Sequence, residues 1–487
     1  MAAASAERSV AGPLRREARP AFAGASEAQL RLLMASGGDE RLWLDPVTRR
    51  NRYGTPAAPA PDELWFSSST ACAVSPRGWA AAGDALGRLI SPNAGGGGLE
   101  AWFEAMRRRL LALYGTAGAE AVFCASGTEA EFLALFAAVR LAGGAVTNLV
   151  VAPAETGTGV PAAASGRHFL GHASLGGAVA KGEAAPGFAG AGITLETIEI
   201  RRPDGTLRPG AEVDDEAAER AERIAAGGGF VLLHLLDASK TGRSGVSRAA
   251  ALDIVSRRPG RVLAVVDACQ LRCSAAAIRR DLEFGFAVML TGSKFAGGPP
   301  FCGALLLPAG LAAELAARPP LPGPLDAYSA ALDWPSALRP PLRHGANLGL
   351  GLRWAAALAE MEAYDGLEAP KRAALLAAFD AAVAARVAAS PGLELLDAEA
   401  PAAAPGLASV VDLDGCDARA VYEALQLPGG GHRACHLGQP VEVGARTALR
   451  VCASMPMITA AAAHGFGPLE ADLDLVFEAW AAARRHV

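Results

Sequence analysis

Three short segments of this 487-residue chain carry side chains that could do chemistry directly after apolar runs. Ser126-Gly127-Thr128 follows AVFCA, and Asp267 and Gln270 follow VLAVV. Lys294 lies between AVMLTGS and a turn rich in glycine and proline. A Ser-Gly-Thr turn at the start of a helix offers N–H groups and hydroxyls to a phosphate. A buried carboxylate or amine, by contrast, needs a partner.

Taken alone, each of these groups has an ordinary structural interpretation. The Ser-Gly-Thr turn could be an N-cap, Asp267 could cap a helix, and Lys294 could extend its amine to the surface. Together they match the needs of pyridoxal phosphate. A lysine forms its Schiff base, a carboxylate holds its pyridine nitrogen, and a turn anchors its phosphate. We therefore predict pyridoxal 5'-phosphate as the cofactor.

The elements that must position these groups alternate between strand and helix. Nearly continuous apolar runs, typical of strands buried on both faces, cover residues 148–153, 230–239, 261–270 and 287–294. Amphipathic patterns that indicate helices cover residues 99–115, 214–226 and 247–257. This alternation predicts an α/β fold with a mostly parallel sheet that helices cover on both faces. Parallel strands would bring the polar groups to one rim.

The pattern also divides the chain into four parts. Residues 1–60 are a partly irregular N-terminal extension, and residues 61–99 form a segment that approaches the active site. Residues 100–335 hold the alternating pattern of a large cofactor-binding domain. Residues 336–487 contain helices and shorter strands, which predict a smaller α+β domain at the C-terminus.

Composition and charge exclude several classes of function. A net charge of −5 gives no electrostatic basis for binding nucleic acid or an anionic membrane. The sequence has no uninterrupted apolar stretch of about 20 residues, so we predict no transmembrane helix. The eight cysteines show neither a disulfide framework nor zinc spacing, which favours a reduced, cytoplasmic protein without a metal site. The start of the chain is rich in Ala and Arg and could pass for a transit peptide, but that bias runs throughout.

The chain resembles the fold-type I pyridoxal-phosphate enzymes of the class V aminotransferase group, which includes the cysteine desulfurases. The matching segments are ASGTEAEFLAL, VVDACQ, LTGSKFAGGPPFCGALLL, RHGANLGLGL and TALRVCAS, and the match covers roughly residues 62–480. The resemblance implies a sheet of the seven-stranded type and a small amino-acid substrate. It also implies a homodimer with the cofactor near the subunit interface.

The resemblance assigns a role to each matching residue. Lys294 forms the Schiff base and moves protons, Asp267 pairs with the pyridine nitrogen, and Gln270 lies near the phenolic oxygen. The cofactor phosphate is assigned to Ser126, Gly127, Thr128, Thr291 and Ser293. Arg450 binds the substrate carboxylate, a task that suits a guanidinium. Asn347, or its neighbour Ala346, reaches the phosphate of the other subunit.

The sequence departs from the family at two contact positions. Where the desulfurases place a histidine over the cofactor ring, this chain has AETGTGVP, so Thr156 or Glu155 takes that place. His168 and His172 lie nearby in sequence and are interpreted as surface histidines. Where the desulfurases have an asparagine after a strand, the segment DASKTGRSG of this chain supplies Ser239 and Lys240.

Three functions remain open at this point. The first is an aminotransferase that acts on a small amino acid, with Ser67 to Thr70 of the segment FSSSTACAVS, Ser68 among them, touching the substrate; a capped turn explains these four hydroxyls as well. The second is a cysteine desulfurase or carbon–sulfur lyase, because GGHRACHLGQPV resembles the desulfurase loop. It places Cys435 on a mobile loop with His432, Arg433 and His436, an electropositive neighbourhood that would activate a thiol. The third is a non-catalytic relative, which the costly buried Lys294 and Asp267 argue against.

Overall fold

The structure is a computed structural model that describes residues 26–91, 98–116, 118–319, 325–400, 404–428 and 433–487. The predicted Ala- and Arg-rich start, residues 1–25, and His432 therefore lie outside the described residues. The helices are α1 (Glu27–Met34), α2 (Pro76–Ile90), α3 (Gly98–Ala112), α4 (Gly127–Ala142), α5 (Val160–Ala164), α6 (Gly210–Ala226), α7 (Arg248–Arg257), α8 (Ala275–Glu283), α9 (Ala309–Ala316), α10 (Leu348–Asp365), α11 (Ala369–Ala388), α12 (Ala418–Leu425), α13 (Met455–His464) and α14 (Gly467–Arg484).

The strands are β1 (Leu64–Phe66), β2 (Glu120–Cys124), β3 (Val146–Val151), β4 (His172–Ala173), β5 (Gly177–Ala178), β6 (Ile193–Ile198), β7 (Phe230–Leu236), β8 (Val262–Ala268), β9 (Ala287–Thr291), β10 (Gly303–Leu307), β11 (Leu393–Leu395), β12 (Leu407–Asp412), β13 (Cys435–Val443) and β14 (Arg446–Cys452). Short 3-10 helices cover Pro153–Glu155, Ala331–Asp333 and Ser336–Leu338. Within the described ranges, none of the helices is long and apolar enough to cross a membrane.

A seven-stranded sheet with the order β2-β10-β9-β8-β7-β3-β6 forms the centre of the large domain. Strand β10 is antiparallel to both of its neighbours, and the other pairs are parallel. All residues of β7, β9 and β10 are buried, which explains why these strands have continuous apolar sequences. The predicted α/β fold with a mostly parallel, seven-stranded type of sheet is confirmed.

Helices cover both faces of this sheet, so neighbouring residues of one strand belong to different cores. In β2, Phe123 packs in the core formed with α2, α3 and α10. Val122 points the other way and packs in the core formed with α4 and α9. This arrangement follows from the alternation of side chains along a strand.

A second sheet with the order β1-β13-β14-β12-β11 forms the smaller domain together with α11 to α14. Strand β1 belongs to the segment 61–99, yet it pairs in parallel with β13, where Leu64 lies opposite Cys435. The smaller domain therefore takes one of its strands from the N-terminal part of the chain.

The structure corrects the predicted loop around Cys435. The sequence suggested a mobile loop over residues 430–441, but Cys435 begins strand β13, which is hydrogen-bonded on both sides. A register shift between Gly438 and Val441 accommodates Pro440, which cannot donate to a neighbouring strand. The glycine and proline in this strand explain why its sequence resembles a loop.

Helix α10 fixes the N-terminal extension to the large domain. A side chain at Gly349 would lie 2.6 Å from the carbonyl oxygen of Leu33 and closer still to that of Ser36. Four residues further on, the guanidinium of Arg353 is fully buried and donates to the carbonyl oxygens of Phe301 and Gly37. The extension is therefore packed into the fold through α10.

Gly349→Ala should lower the free energy of unfolding by about 1–3 kcal/mol, because the new methyl group overlaps backbone atoms at the end of α1. Gly310→Ala in α9 is the matched control, since a side chain there meets no atom within 4 Å and should be neutral or slightly stabilising. The measurement is the urea midpoint of both variants beside the wild type. Equal midpoints for the two variants would show that α1 is not held as described.

Candidate active site

The polar groups predicted from the sequence converge at the carboxyl ends of neighbouring strands. The start of α4 lies directly against the ends of β8 and β9. A side chain at Gly127 would lie 2.9 Å from Sγ of Cys269 and 3.4 Å from Cγ2 of Thr291. Only glycine permits this close approach, which places the N–H groups of the α4 turn beside the other candidate residues.

The turn that begins α4 is enclosed by the loop that follows β3. Ser126 caps the helix by accepting a hydrogen bond from the N–H of Glu129 at 3.2 Å. Side chains at Gly157 and Gly159 would lie 3.3 Å and 3.0 Å from atoms of Thr128. This loop therefore covers the Ser-Gly-Thr turn, and a phosphate held there would be sheltered from water.

Two predicted cofactor contacts already have protein partners: Thr156, predicted to face the ring, and Thr291, predicted to bind the phosphate. Thr156 donates its hydroxyl to the carbonyl oxygen of Pro153 at 3.0 Å. Thr291 donates its hydroxyl to the carbonyl oxygen of Cys269 at 2.7 Å. Ser293, in the turn before Lys294, is buried beside them. The roles of Thr156, Thr291 and Ser293 toward a cofactor stay predictions.

Lys294 lies in a tight turn that explains the glycines after it. The N–H of Gly297 donates to the carbonyl oxygen of Lys294 at 2.8 Å, and that of Gly298 to Gly292 at 2.9 Å. A side chain at Gly292 would lie 2.7 Å from Cβ of Ala357 in α10. The turn therefore packs against α10 and presents a partly buried lysine with no ion-pair partner among the described residues.

Asp267 lies near the buried pair of Glu131 and His234. Its Oδ1 accepts a hydrogen bond from the N–H of Cys269 at 3.0 Å. On the neighbouring elements, Oε2 of Glu131 lies 3.5 Å from Nε2 of His234. Burial, and then the charge of Asp267, raise the pKa of Glu131, and burial lowers the pKa of His234 to about 3. Both shifts favour the uncharged forms of Glu131 and His234.

The segment after β1 contributes unpaired polar atoms to this region. Gln270 donates its amide to the carbonyl oxygen of Ser69 at 3.1 Å. Oε1 of Gln270 and the hydroxyl of Ser69 are buried without a partner. Ser68, the predicted substrate contact, is occupied instead by Arg272, whose Nη2 donates to it at 2.8 Å. The geometry therefore favours Ser69 over Ser68 as the group that is open to a ligand.

Arg450 is a buried guanidinium without a carboxylate partner. It lies in β14, is 1% exposed, and donates to the carbonyl oxygen of Gln439 and to the hydroxyl of Thr70. Its Nη1 is buried and has no acceptor. Burial lowers its pKa to about 10. Because burying an unpaired charge is costly, an anionic ligand bound to this arginine would stabilise it.

Lys240 is a second amine in the same region; the sequence analysis placed it with Ser239 at a cofactor-contact position but gave it no role as a cation or proton carrier. It follows β7, and its backbone N–H donates to the carbonyl oxygen of Glu155 at 2.8 Å. Burial, and then the charges of Arg450 and Lys294, lower its pKa to about 7. The chain contains only four lysines, at 181, 240, 294 and 371. That scarcity, together with the position of Lys240 at a strand end, is the signal that could have indicated it.

Ser239 and Glu155 belong to a hydrogen-bonded cluster beside this site. Ser239 donates to Oε2 of Glu155 at 2.7 Å, and Glu155 also accepts from Thr241 and Arg201. Arg201 in turn pairs with Asp397 at 2.7 Å. The charge of Glu155 is thus balanced by Arg201. Neither Ser239 nor Glu155 has a free group directed to a cofactor ring, and the predicted role of Ser239 is untested.

Two histidines near the candidate site have protein partners. His168 was interpreted as a surface residue, but it is buried, with Nδ1 lying 2.6 Å from the hydroxyl of Tyr328. His172 is partly exposed, and its Nδ1 lies 2.9 Å from Oε2 of Glu40. The prediction for His168 was therefore wrong, because the segment after α5 folds back onto the core that contains Tyr328.

Asn347 is also occupied within its own chain. It caps α10 by accepting from the N–H of Leu350 at 3.0 Å, and its Nδ2 donates to the carbonyl oxygen of Gly37 at 2.9 Å. A contact with the phosphate of a second subunit would have to replace one of these bonds. This arrangement does not support the predicted contact between subunits.

Cys435 lacks the properties that the desulfurase interpretation requires. Its side chain is 1% exposed, and Sγ lies 3.3 Å from the carbonyl oxygen of Arg433. Burial raises the pKa of this thiol to about 11. The neighbouring His436 is paired with Glu63 at 2.7 Å, and burial lowers its pKa. The thiol is therefore neither accessible nor activated.

Two further features lie outside this group of residues. In the ranges that the structure covers, no group of three or more His, Cys, Asp or Glu side chains could hold a metal ion. A cavity of about 320 Å³ lies between residues 59–76 and helices α13 and α14. Its lining contains neither lysine nor any residue predicted to bind the cofactor, so it does not form part of the candidate active site.

Comparison with known proteins identifies relatives by structure alone. No family model matches the chain, and no curated protein matches it either. A NifS-like protein from Rickettsia africae is 12% identical with a TM-score of 0.55, and the match covers 86% of this chain and 99% of that one.

Two other solved structures are similar to the same extent. The cysteine desulfurase CsdA from Escherichia coli is 15% identical with a TM-score of 0.52, over 88% of this chain and 96% of that one. An alanine–glyoxylate aminotransferase from Nostoc sp. is 16% identical with a TM-score of 0.55, over 87% and 96% of the two chains. The chain shares the fold of these proteins, the fold-type I arrangement that the resemblance implied.

The buried state of Cys435 can be tested by alkylation of the folded protein with iodoacetamide near pH 8. A pKa of about 11 lowers its thiolate fraction roughly 100-fold relative to an ordinary cysteine. We expect Cys435 to remain unlabelled in peptide mass spectra while the partly exposed Cys416 is labelled. Rapid labelling of Cys435 in the native protein would restore the desulfurase interpretation.

Proposed function

We propose that this chain is a pyridoxal-phosphate-dependent enzyme that acts on a small amino acid through Lys294, with transamination as its reaction. One observation carries the proposal. Lys240 lies close enough to Lys294 and Arg450 for both charges to lower its pKa, an effect that Glu155 offsets only in part, and none of the three cations has an ion-pair partner among the described residues. A site with this charge needs anions, and a phosphate and an amino-acid carboxylate would supply them.

The residues present fit the cofactor. Lys294 would hold its aldehyde carbon, Asp267 its pyridine nitrogen, and the N–H groups of Gly127 and Thr128 its phosphate. When bound, pyridoxal phosphate supplies an electron sink for negative charge on the substrate's α-carbon. The unpaired Oε1 of Gln270 offers one further hydrogen-bonding group.

The chain's own residues divide the remaining work. Arg450 would orient the substrate by donating Nη1 and Nη2 to its α-carboxylate, held in place by Gln439 and Thr70. The amine of Lys294 would accept a proton from the substrate's α-carbon and would then return that proton to a different carbon atom. Lys240, whose pKa is about 7, can carry or release a proton at neutral pH beside them.

Transamination is favoured over desulfuration because of the state of Cys435. Moving a proton requires only Lys294, whereas taking sulfur from cysteine requires an accessible thiolate. The similar solved structures include both an aminotransferase and a cysteine desulfurase, so the fold does not separate the two reactions. A desulfurase or carbon–sulfur lyase is the alternative, and it would need a thiol acceptor other than Cys435.

The cellular setting and the assembly are also part of the proposal. All eight cysteines are free thiols, which supports a reducing compartment such as the cytoplasm. A homodimer with the cofactor near the subunit interface rests on the resemblance to the class V group.

Lys294→Ala should abolish covalent attachment of pyridoxal phosphate, because no other amine occupies that turn. The measurement is visible absorbance after incubation with the cofactor, followed by borohydride reduction and mass spectrometry of lysine peptides. Lys240→Met is the matched control and should keep the label on Lys294. Labelling of Lys240 in the wild type would show that Lys240, and not Lys294, forms the covalent link to the cofactor.

Arg450→Leu should spare cofactor binding and weaken substrate binding. Removing one partner of a buried charge pair costs roughly 2–5 kcal/mol, so the apparent affinity should fall about 30-fold or more. The measurement is a titration of the cofactor absorbance with the best amino acid from a substrate screen. Arg446→Leu, on the exposed end of the same strand, is the control and should bind normally. Equal half-saturation in all three proteins would show that the carboxylate is bound elsewhere.

A further inference from the structure

The N-terminal extension brings a cation to the start of α4, a contact that the sequence analysis did not anticipate. Nη2 of Arg41 lies 3.5 Å from the hydroxyl of Ser126, the residue that caps α4. Ser126 is followed by Gly127 and Thr128, whose N–H groups form the proposed phosphate site. Residues 1–60 had no assigned role, so this contact is the first link between the extension and the site.

Arg41 is held in a fixed orientation on several sides. Its Nε and Nη2 donate to the two carboxylate oxygens of Asp39 at 2.9 Å and 2.6 Å. Asp39 is 0% exposed. The guanidinium carbon lies 5.4 Å and 5.2 Å from the ring centres of Phe169 and Phe301. A bidentate pair between two aromatic rings leaves the guanidinium little freedom to move.

The turn before Arg41 is anchored by α10. The carbonyl oxygen of Gly37 accepts from Nδ2 of Asn347 at 2.9 Å and from Nη2 of Arg353 at 2.8 Å. Gly37 has a φ of +65°, and a side chain there would overlap the amide of Asn347. The segment that contains Asn347 therefore fixes the part of the extension that carries Asp39 and Arg41.

The pair with Asp39 leaves one end of the Arg41 guanidinium with N–H groups that can donate to a ligand. Glu129 is the other acid close by, and burial, followed by the charge of Asp39, raises its pKa to about 8. The raised pKa favours the uncharged form of Glu129, and its oxygens accept from Ala125 and Ser174. Nη1 of Arg41 has no acceptor within the part of the chain that the structure covers, so its two N–H groups can donate to a ligand.

We propose that Arg41 binds the phosphate of the cofactor, together with the N–H groups at the start of α4. This inference rests on the proposed function, because the phosphate is that of pyridoxal phosphate. A guanidinium suits a phosphate dianion because its N–H groups can donate to two oxygens at once. The extension would then supply, within one chain, the phosphate contact that the resemblance assigned to Asn347 of a second subunit.

The test compares two ligands that differ only in the phosphate. Cofactor-free full-length protein is titrated with pyridoxal phosphate and with pyridoxal, and binding is followed by absorbance. Arg41→Met should weaken the binding of pyridoxal phosphate by roughly 10- to 100-fold, the effect of losing hydrogen bonds to a charged group. The same variant should bind pyridoxal as the wild type does. Arg41→Lys should recover part of the lost affinity, because it keeps the charge.

The controls separate a phosphate contact from a structural role. Arg50→Met removes another arginine of the extension, one that pairs with Glu63, and should leave the affinity for both ligands unchanged. If Arg41→Met does not fold because Asp39 is stranded, the double variant with Asp39→Asn removes that charge and is measured in its place.

Each outcome decides the proposal. An equal loss for pyridoxal and pyridoxal phosphate would overturn it and leave Arg41 a structural role only, and so would unchanged binding of both. A loss confined to the phosphorylated ligand supports it. Failure of the wild type to bind either compound would instead remove the proposed function, which the titration of the wild type shows by itself.

Discussion

The candidate site depends on buried cations that form no direct ion pair with a carboxylate in the part of the chain that the structure describes. The folded chain keeps Arg450 and Arg272 in its interior by aiming them at carbonyl oxygens, those of Gln439 for Arg450 and of Pro405 and Gly406 for Arg272. Such dipoles offset part of the cost of burying a guanidinium. These carbonyl oxygens leave Nη1 of Arg450 and Nε of Arg272 without an acceptor among the described residues. An anionic ligand could accept hydrogen bonds from such groups.

Close backbone packing makes this concentration of charge possible. Glycines at the start of α4 and in the turn around Lys294 let helix and strand ends approach to distances that a side chain would prevent. Near Asp267, Glu131 lies beside His234, and burial favours the uncharged form of each. A few charged groups therefore determine the electrostatic potential at the carboxyl ends of the strands, and each of these groups is held by the surrounding backbone.

The large domain could be predicted from the sequence because its strands are buried on both faces. Continuous apolar runs at β3, β7, β8 and β9 have no other good interpretation, and the polar residues at their ends follow by topology. Strand β13 could not be predicted, since His436, Gly438 and Pro440 interrupt any strand pattern. Its misassignment made Cys435 resemble a reactive loop thiol.

Contacts between residues that are distant in the sequence could not be predicted, for a different reason. Arg41 and Ser126 are 85 residues apart, and neither residue type in its local context indicates the other. The same holds for Glu131 and His234, which meet only because α4 packs on β7. Such pairs depend on tertiary packing, and local pattern carries no information about them.

The position of β1 has a consequence for the order in which the molecule is assembled during synthesis. Leu64 leaves the ribosome early but pairs with Cys435, which is made near the end. The seven-stranded sheet is complete in the chain long before that, so it can fold first. Thr70 gains its hydrogen bonds to Gln439 and Arg450 only when β13 and β14 are made, which means that the Arg450 side of the site forms last. A nascent chain would thus form the proposed cofactor-binding part of the site before it forms the proposed substrate-binding part.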